Sequence, residues 1–191
     1  MNDQIHRCLL IRHGETAWSL SGRHTGRTDL PLLPKGEAQA RALRPKLSQH
    51  QFTAVLTSPL LRARSTCELA GLGAGSIVDP DLREWDYGAY DGLTTTEIRA
   101  ERPGWDLFED GAPGGETAAD VGRRADRVIE RIRAVPGVVA CVAHAHVLRV
   151  LTARWIGLDP TGGRSFVLAP ASVSALGWER EQPVIAGWNH T

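Results

Sequence analysis

Residues 8–14, CLLIRHG, set four apolar residues directly against an arginine, an imidazole and a glycine. A run this short, apolar at consecutive positions and ended by a turn residue, reads as a strand buried on both faces, the kind a parallel sheet contains. Residues 138–143, VVACVA, form a second such run and stop on His144. Between and after these runs, strand-like and helix-like segments alternate, which is the signature of an α/β fold with helices on both faces of a mainly parallel sheet. In such sheets the ligand crevice lies beyond the carboxyl ends of the strands, so Arg12-His13 and His144 are placed on one edge.

Outward from these two strands the chain gives a coarse map. Residues 34 to about 50 read as a helix entered through proline, with Pro45 kinking or shortening it, and residues 54–57 as a strand. Ser58-Pro59 reads as an N-cap and first helical proline, opening a helix to residue 69 with Leu60, Ala63, Cys67 and Ala70 on one face and Arg62 in its first turn. Residues 82–115 read as an active-site loop or lid with one short helix near 95–102. Helical spacing returns at 117–135 and again at 146–156, and residues 172–189 read as a closing antiparallel hairpin. The hairpin's apolar edge is a place where a homo-oligomer could pair.

The 191 residues are enough for one domain of ordinary size. Basic and acidic residues both number 22, and no block of like charge suggests a nucleic-acid or membrane partner. An anionic ligand must then be held by a local pocket. Cys8, Cys67 and Cys141 are odd in number, lie in apolar runs and lack metal-type spacing, which favours reduced thiols. With no apolar run long enough for a membrane span and no signal-peptide pattern in MNDQIHR, the expected location is the cytoplasm.

Two imidazoles at strand ends with Arg12 and Arg62 beside them describe a phosphate pocket, because a guanidinium matches phosphate oxygens with two parallel N–H groups. A neutral imidazole there can attack phosphorus and carry the phosphoryl group on nitrogen, and His13 fits that role.

The blocks RHGETAW, GRHTGRTDLPL, TSPLLRARST, REWDYGAYDG, GGET and AHAHVLR follow one another in an order and spacing that resembles the histidine phosphatase, or phosphoglycerate mutase-like, superfamily. Their wording is most similar to a branch holding sedoheptulose-bisphosphatase-like and broad acid phosphatases. The resemblance implies a three-layer α/β/α fold with a C-terminal antiparallel hairpin. It implies His13 as phosphorylated nucleophile, with Arg12, Arg62 and His144 completing the phosphate pocket and Glu84 protonating the leaving alcohol. Ser19, Arg23, Thr25, Gly26, Tyr87 and Ala145 are the implied substrate contacts, with no cofactor and no metal. Burial beside Trp85 would favour the protonated form of Glu84. His146 and Trp18 are expected to pack or hydrogen-bond, and His6, His50 and His190 to lie on the surface.

Two positions depart from the family. Ala145 stands where glycine is common, and Ser19 stands where the mutase branch often has asparagine. The implied activity is hydrolysis of a small phosphomonoester, a sugar phosphate or bisphosphate. The alternatives are a cofactor-dependent phosphoglycerate mutase, a zinc hydrolase using the HAH triplet and a non-catalytic phosphate binder. The stretch 94–116 carries Arg99 and Arg102 against Glu97, Glu101, Asp106, Glu109, Asp110 and Glu116, an acidic cap suited to a weakly anionic substrate body.

Overall fold

The computed structural model describes residues 6–191, with side chains from residue 8 onward. The segment MNDQI and the His6 side chain lie outside that description. Strand β1 (His6–Arg12) pairs in parallel with β4 (Val138–Ala143), Leu9 opposite Ala140 and Arg12 opposite Ala143. With β2 (Phe52–Thr57), β3 (Ile77–Val78), β5 (Val173–Glu179) and β6 (Gln182–His190) they make one sheet in the order β3-β2-β4-β1-β5-β6. The first four of these run parallel, and β5 and β6 are antiparallel.

Alternate residues of each strand face opposite sides of the sheet, so two cores form. Cys8 and Leu10 belong to one, with Val128 of α7 (Ala118–Ala134) and Leu148 and Leu151 of α8 (Ala145–Trp155). Leu9 and Ile11 belong to the other, with Leu43, Leu47 and the Cys67 of α4 (Leu61–Leu69). The result is the expected three-layer α/β/α arrangement. All three cysteines are free and buried, with the Sγ atoms of Cys8 and Cys141 3.7 Å apart. No helix among the described residues is long and apolar enough to cross a membrane.

Five local details refine or correct the coarse map. The helix from residue 34 is two helices, α2 (Pro34–Ala42) and α3 (Arg44–Leu47), because Pro45 has no N–H to continue the ladder and its ring would meet the carbonyl of residue 41. Helix α4 starts at Leu61 rather than after Ser58, since Leu60 is extended, and its Leu61 N–H is capped from a distance by the Asp29 carboxylate at 2.8 Å. The 82–115 region holds α5 (Thr95–Glu101), closed by a Thr94/Glu97 capping box, and also a further turn of helix, α6 (Leu107–Asp110). Strand β3 went unread because two exposed residues carry no periodicity. Helix α8 begins at Ala145, one residue earlier than its pattern suggests.

One backbone approach shapes the turn after β1. A Cβ on Gly14 would sit 2.3 Å from the Gly36 carbonyl oxygen, and a Cβ on Gly36 would sit 2.1 Å from the Glu15 oxygen. The first turn of α2 therefore lies directly against the Gly14-Glu15 backbone.

Candidate active site

The parallel pairing of β1 and β4 carries His13 and His144 to the same sheet edge, and the His13 N–H donates to the Ala143 carbonyl at 2.9 Å. Their ring centroids are 5.1 Å apart. The His13 Nδ1–H donates to the Gly14 carbonyl at 2.7 Å, which leaves Nε2 as the ring's lone-pair nitrogen. Burial, and then the charges of Arg12 and Arg62, hold His13 well below the ordinary imidazole range. It is a neutral base on the wall of a cleft of about 310 Å³.

Arg12 lines the same cleft. Its Nη1 donates to the Leu168 carbonyl, while its buried Nε has no hydrogen-bond partner among the described residues. Arg62 is fully buried behind the cleft: Nε donates to His144 Nδ1 at 3.1 Å, Nη1 to the Thr28 carbonyl, and Nη2 to the carbonyls of Thr25 and Gly26. Because His144 Nδ1 accepts from a cation that cannot give up its proton, the His144 proton sits on Nε2 and donates to Ser58 Oγ at 2.7 Å. Ser58 does not cap α4: at the carboxyl end of β2 its Oγ accepts from the Leu60 N–H at 3.3 Å and anchors His144. Burial, and then Arg62, keep His144 neutral.

Glu84 also faces the cleft, but it is not in an apolar pocket. Its Oε1 accepts from the Trp85 and Val147 N–H groups at 2.9 Å and its Oε2 from the His146 N–H at 3.1 Å. The last two belong to the first turn of α8, whose unpaired N–H groups attract a carboxylate. The loop under Glu84 is pinned by Arg124, which donates to both Glu116 oxygens and to the carbonyls of Asp81, Arg83 and Glu84. That network accounts for the GGET block.

The remaining expected contacts fall into two groups. Ser19, Arg23, Thr25, Tyr87 and Ala145 line the cleft, whereas Gly26 faces an adjacent one. Gly26 donates to Asp91 at 2.7 Å, and a Cβ there would lie 2.8 Å from the Trp85 carbonyl oxygen, so only glycine fits. Ser19 Oγ is engaged with Thr16 in the capping box of α1 (Ala17–Ser21). Ala145, the first residue of α8, has no positive φ, so helical backbone there serves without glycine. Tyr87 O–H and His146 Nδ1 are hydrogen-bonded at 2.7 Å, in keeping with the packing or hydrogen-bonding role expected of His146. Trp18 packs over Gly92, His190 is exposed and His50 is half-buried against Phe52. Because His144 and His146 turn their Nδ1 atoms to Arg62 and Tyr87, the HAH rings do not converge. No group of three candidate metal ligands occurs among the described residues.

Three basic cleft residues were not foreseen. His24 lies against Tyr87, ring centroids 4.8 Å apart, and is pushed down to about 4 by burial. Arg149 is one turn below Ala145 on α8, an i,i+4 relation that the sequence could have shown. Arg164 comes from a short 3₁₀ turn with no pattern to announce it. The acidic cap also acts differently from its composition. Glu97, Glu109, Asp110 and Glu116 pair with Arg23, Arg164, Arg102 and Arg124, so these acids brace the cap rather than repel a ligand.

A parallel sheet presenting two neutral imidazoles and buried guanidiniums at its strand ends defines an α/β enzyme built around an anion. The chain belongs to the histidine phosphatase superfamily (branch 1), whose family model matches residues 8–191. It is 39% identical over 185 residues to an acid phosphatase of Mycobacterium tuberculosis, covering 94% of this chain and 90% of that one. It is 39% identical over 185 residues to the sedoheptulose 1,7-bisphosphatase of Saccharomyces cerevisiae, covering 80% and 68%. A solved mycobacterial glucosyl-3-phosphoglycerate phosphatase in complex with VO3 matches with a TM-score of 0.86 and 29% identity over 96% of this chain and 98% of that one.

Proposed function

We propose that the protein hydrolyses small phosphomonoesters, with sugar phosphates and bisphosphates foremost, through a phosphohistidine on His13 and without a metal ion. The observation that carries this reading is the Nδ1–H bond from His13 to the Gly14 carbonyl, which presents a neutral Nε2 lone pair to the cleft. In the first half-reaction Nε2 attacks phosphorus in line. The bond to the ester oxygen breaks, and Glu84, having taken up a proton before the step, gives it to the departing alkoxide. Arg12 faces the phosphoryl oxygens, while Arg62 and His144 place a cation and an oriented imidazole immediately behind His13. In the second half-reaction the Glu84 carboxylate takes a proton from water, the resulting hydroxide attacks phosphorus and the N–P bond breaks. Inorganic phosphate leaves, with His13 neutral and Glu84 protonated again.

Quenching the enzyme during turnover of ³²P-labelled substrate tests this. The label should be acid-labile and base-stable and map to His13. Label on a serine, or on His144, would sink the mechanism.

Glu84→Gln keeps the shape and removes the proton. Its kcat should fall about 10²-fold or more on a sugar phosphate, within the usual range for a lost general acid, and by much less on p-nitrophenyl phosphate, whose phenolate leaves unaided. Equal losses on both substrates would make Glu84 a positioning residue.

A further inference from the structure

Four guanidiniums, of Arg12, Arg23, Arg149 and Arg164, line the cleft against one carboxylate, that of Glu84. They are not equivalent. Arg23 is paired with Glu97, and Arg164 with Glu109 and, at 3.9 Å, Asp106. Arg12 and Arg149 have no ion-pair partner among the described residues, and Arg12 stands beside His13, where the reacting phosphate is placed.

Arg149 is therefore a second, separate cation with no carboxylate within ion-pair distance, Glu84 and Asp106 acting on it only from farther off. It is half-buried, and burial pushes it below the ordinary guanidinium range. It is also held still. Nε donates to the Gly163 carbonyl at 3.0 Å, Nη2 donates to the Arg164 carbonyl at 3.1 Å, and the guanidinium lies over the Phe108 ring at 4.8 Å. These contacts leave Nη1 without a protein acceptor. An unpaired charge drawn partly out of water is costly, and a long side chain fixed by two hydrogen bonds and a ring has already lost its rotamer entropy. Both costs are recovered when an anion arrives, and the affinity gained is that of a site organised in advance.

Resting on the phosphatase reading above, we infer that Arg149, with Arg164 beside it, forms a second anion subsite, so that the preferred substrate carries a phosphate or carboxylate on its non-reacting end. The cleft volume suits one compact doubly anionic metabolite. Arg164 is the adjustable member, since its present partners Glu109 and Asp106 belong to the cap and a ligand anion competes with them. Arg149 makes no such exchange.

The test pairs turnover with binding. The wild type should show kcat/KM at least tenfold higher for fructose 1,6-bisphosphate or 3-phosphoglycerate than for fructose 6-phosphate. The better of the first two tells whether phosphate or carboxylate fits. Arg149→Gln should lower kcat/KM on the preferred doubly anionic substrate at least tenfold further than on p-nitrophenyl phosphate, and Arg164→Gln should give a smaller differential loss. Calorimetric titration of the His13→Ala protein with the same three ligands reads the subsite without turnover. The preferred doubly anionic ligand should bind at least tenfold tighter than fructose 6-phosphate, and adding Arg149→Gln should erase the difference. Equal losses on every substrate, or equal binding of all three ligands, would overturn the subsite. A wild type that turns over no phosphomonoester would instead overturn the phosphatase reading, and the titration would still decide the subsite.

Discussion

His13→Ala should lower kcat/KM on p-nitrophenyl phosphate by about 10⁴-fold or more, the scale on which removing a covalent nucleophile acts. The size of the loss follows from how little else in the cleft can replace it. His144 is fully buried, its Nδ1 taken by Arg62 and its Nε2–H turned to Ser58, so neither nitrogen offers a lone pair to a substrate. His146 Nδ1 is bonded to Tyr87, and His24 Nε2 is 3.3 Å from Thr95 with its ring packed against Tyr87. The measurement is steady-state hydrolysis, with a thermal melt to show that the variant is folded. Residual activity within a hundredfold of wild type would mean that another group attacks phosphorus.

The second large effect is on stability. Burial holds His13, His144 and His146 well below the ordinary imidazole range in the folded protein, and brings His24 to about 4. In the unfolded chain each takes a proton near 6.5. Below that pH the unfolded state binds more protons, so the stability of the fold, complete above the unfolded value, declines as pH falls. Each such histidine contributes about 1.4 kcal/mol per pH unit, and the four together about 5 kcal/mol per unit once well below 6.5. Against a typical total of about 5–15 kcal/mol that is a steep acid limit. Asp81, held at about 2 by Arg127 and Arg131, loses its contribution only at lower pH, so the window from 6.5 to 4.5 belongs to the histidines. Urea denaturation at pH 7.5, 6 and 5 measures the slope, and His146→Gln should reduce it by one proton. A slope of one proton or less in the wild type would show that the rings charge within the fold. Because burial and the neighbouring guanidiniums favour the neutral form of His13 as pH falls, the nucleophile remains competent at mildly acid pH for as long as the fold holds.

What the chain disclosed by itself depended on whether a signal was local. CLLIRHG and VVACVAH each carry strand and functional residue in one run, so the sheet edge and both imidazoles were legible without tertiary information. Ser58-Pro59 obeyed a local rule and misled. The helix cap there comes from Asp29, about thirty residues away, and the serine hydroxyl goes to a histidine from another strand. Glu84 was legible as a carboxylate near the chemistry, but two of its three backbone donors come from the start of α8 and no pattern around residue 84 reveals them. The charge of the cap was misjudged because composition counts acids without showing which arginine each one meets. Arg149 and Arg164 reach the cleft only through the packing of α8 against the following turn.

Gly14 and Gly36 have no side chain between them, so the turn that carries His13 and the start of α2 are spaced by bare backbone. His13 is aimed through the carbonyl of Gly14, and that carbonyl is held where it is by the thickness of a peptide on the far side. The precision of the nucleophile is thus a machining tolerance set by a helix that never touches the ligand. Widening the gap by one methyl group at residue 36 would tilt the imidazole as surely as a change at residue 13.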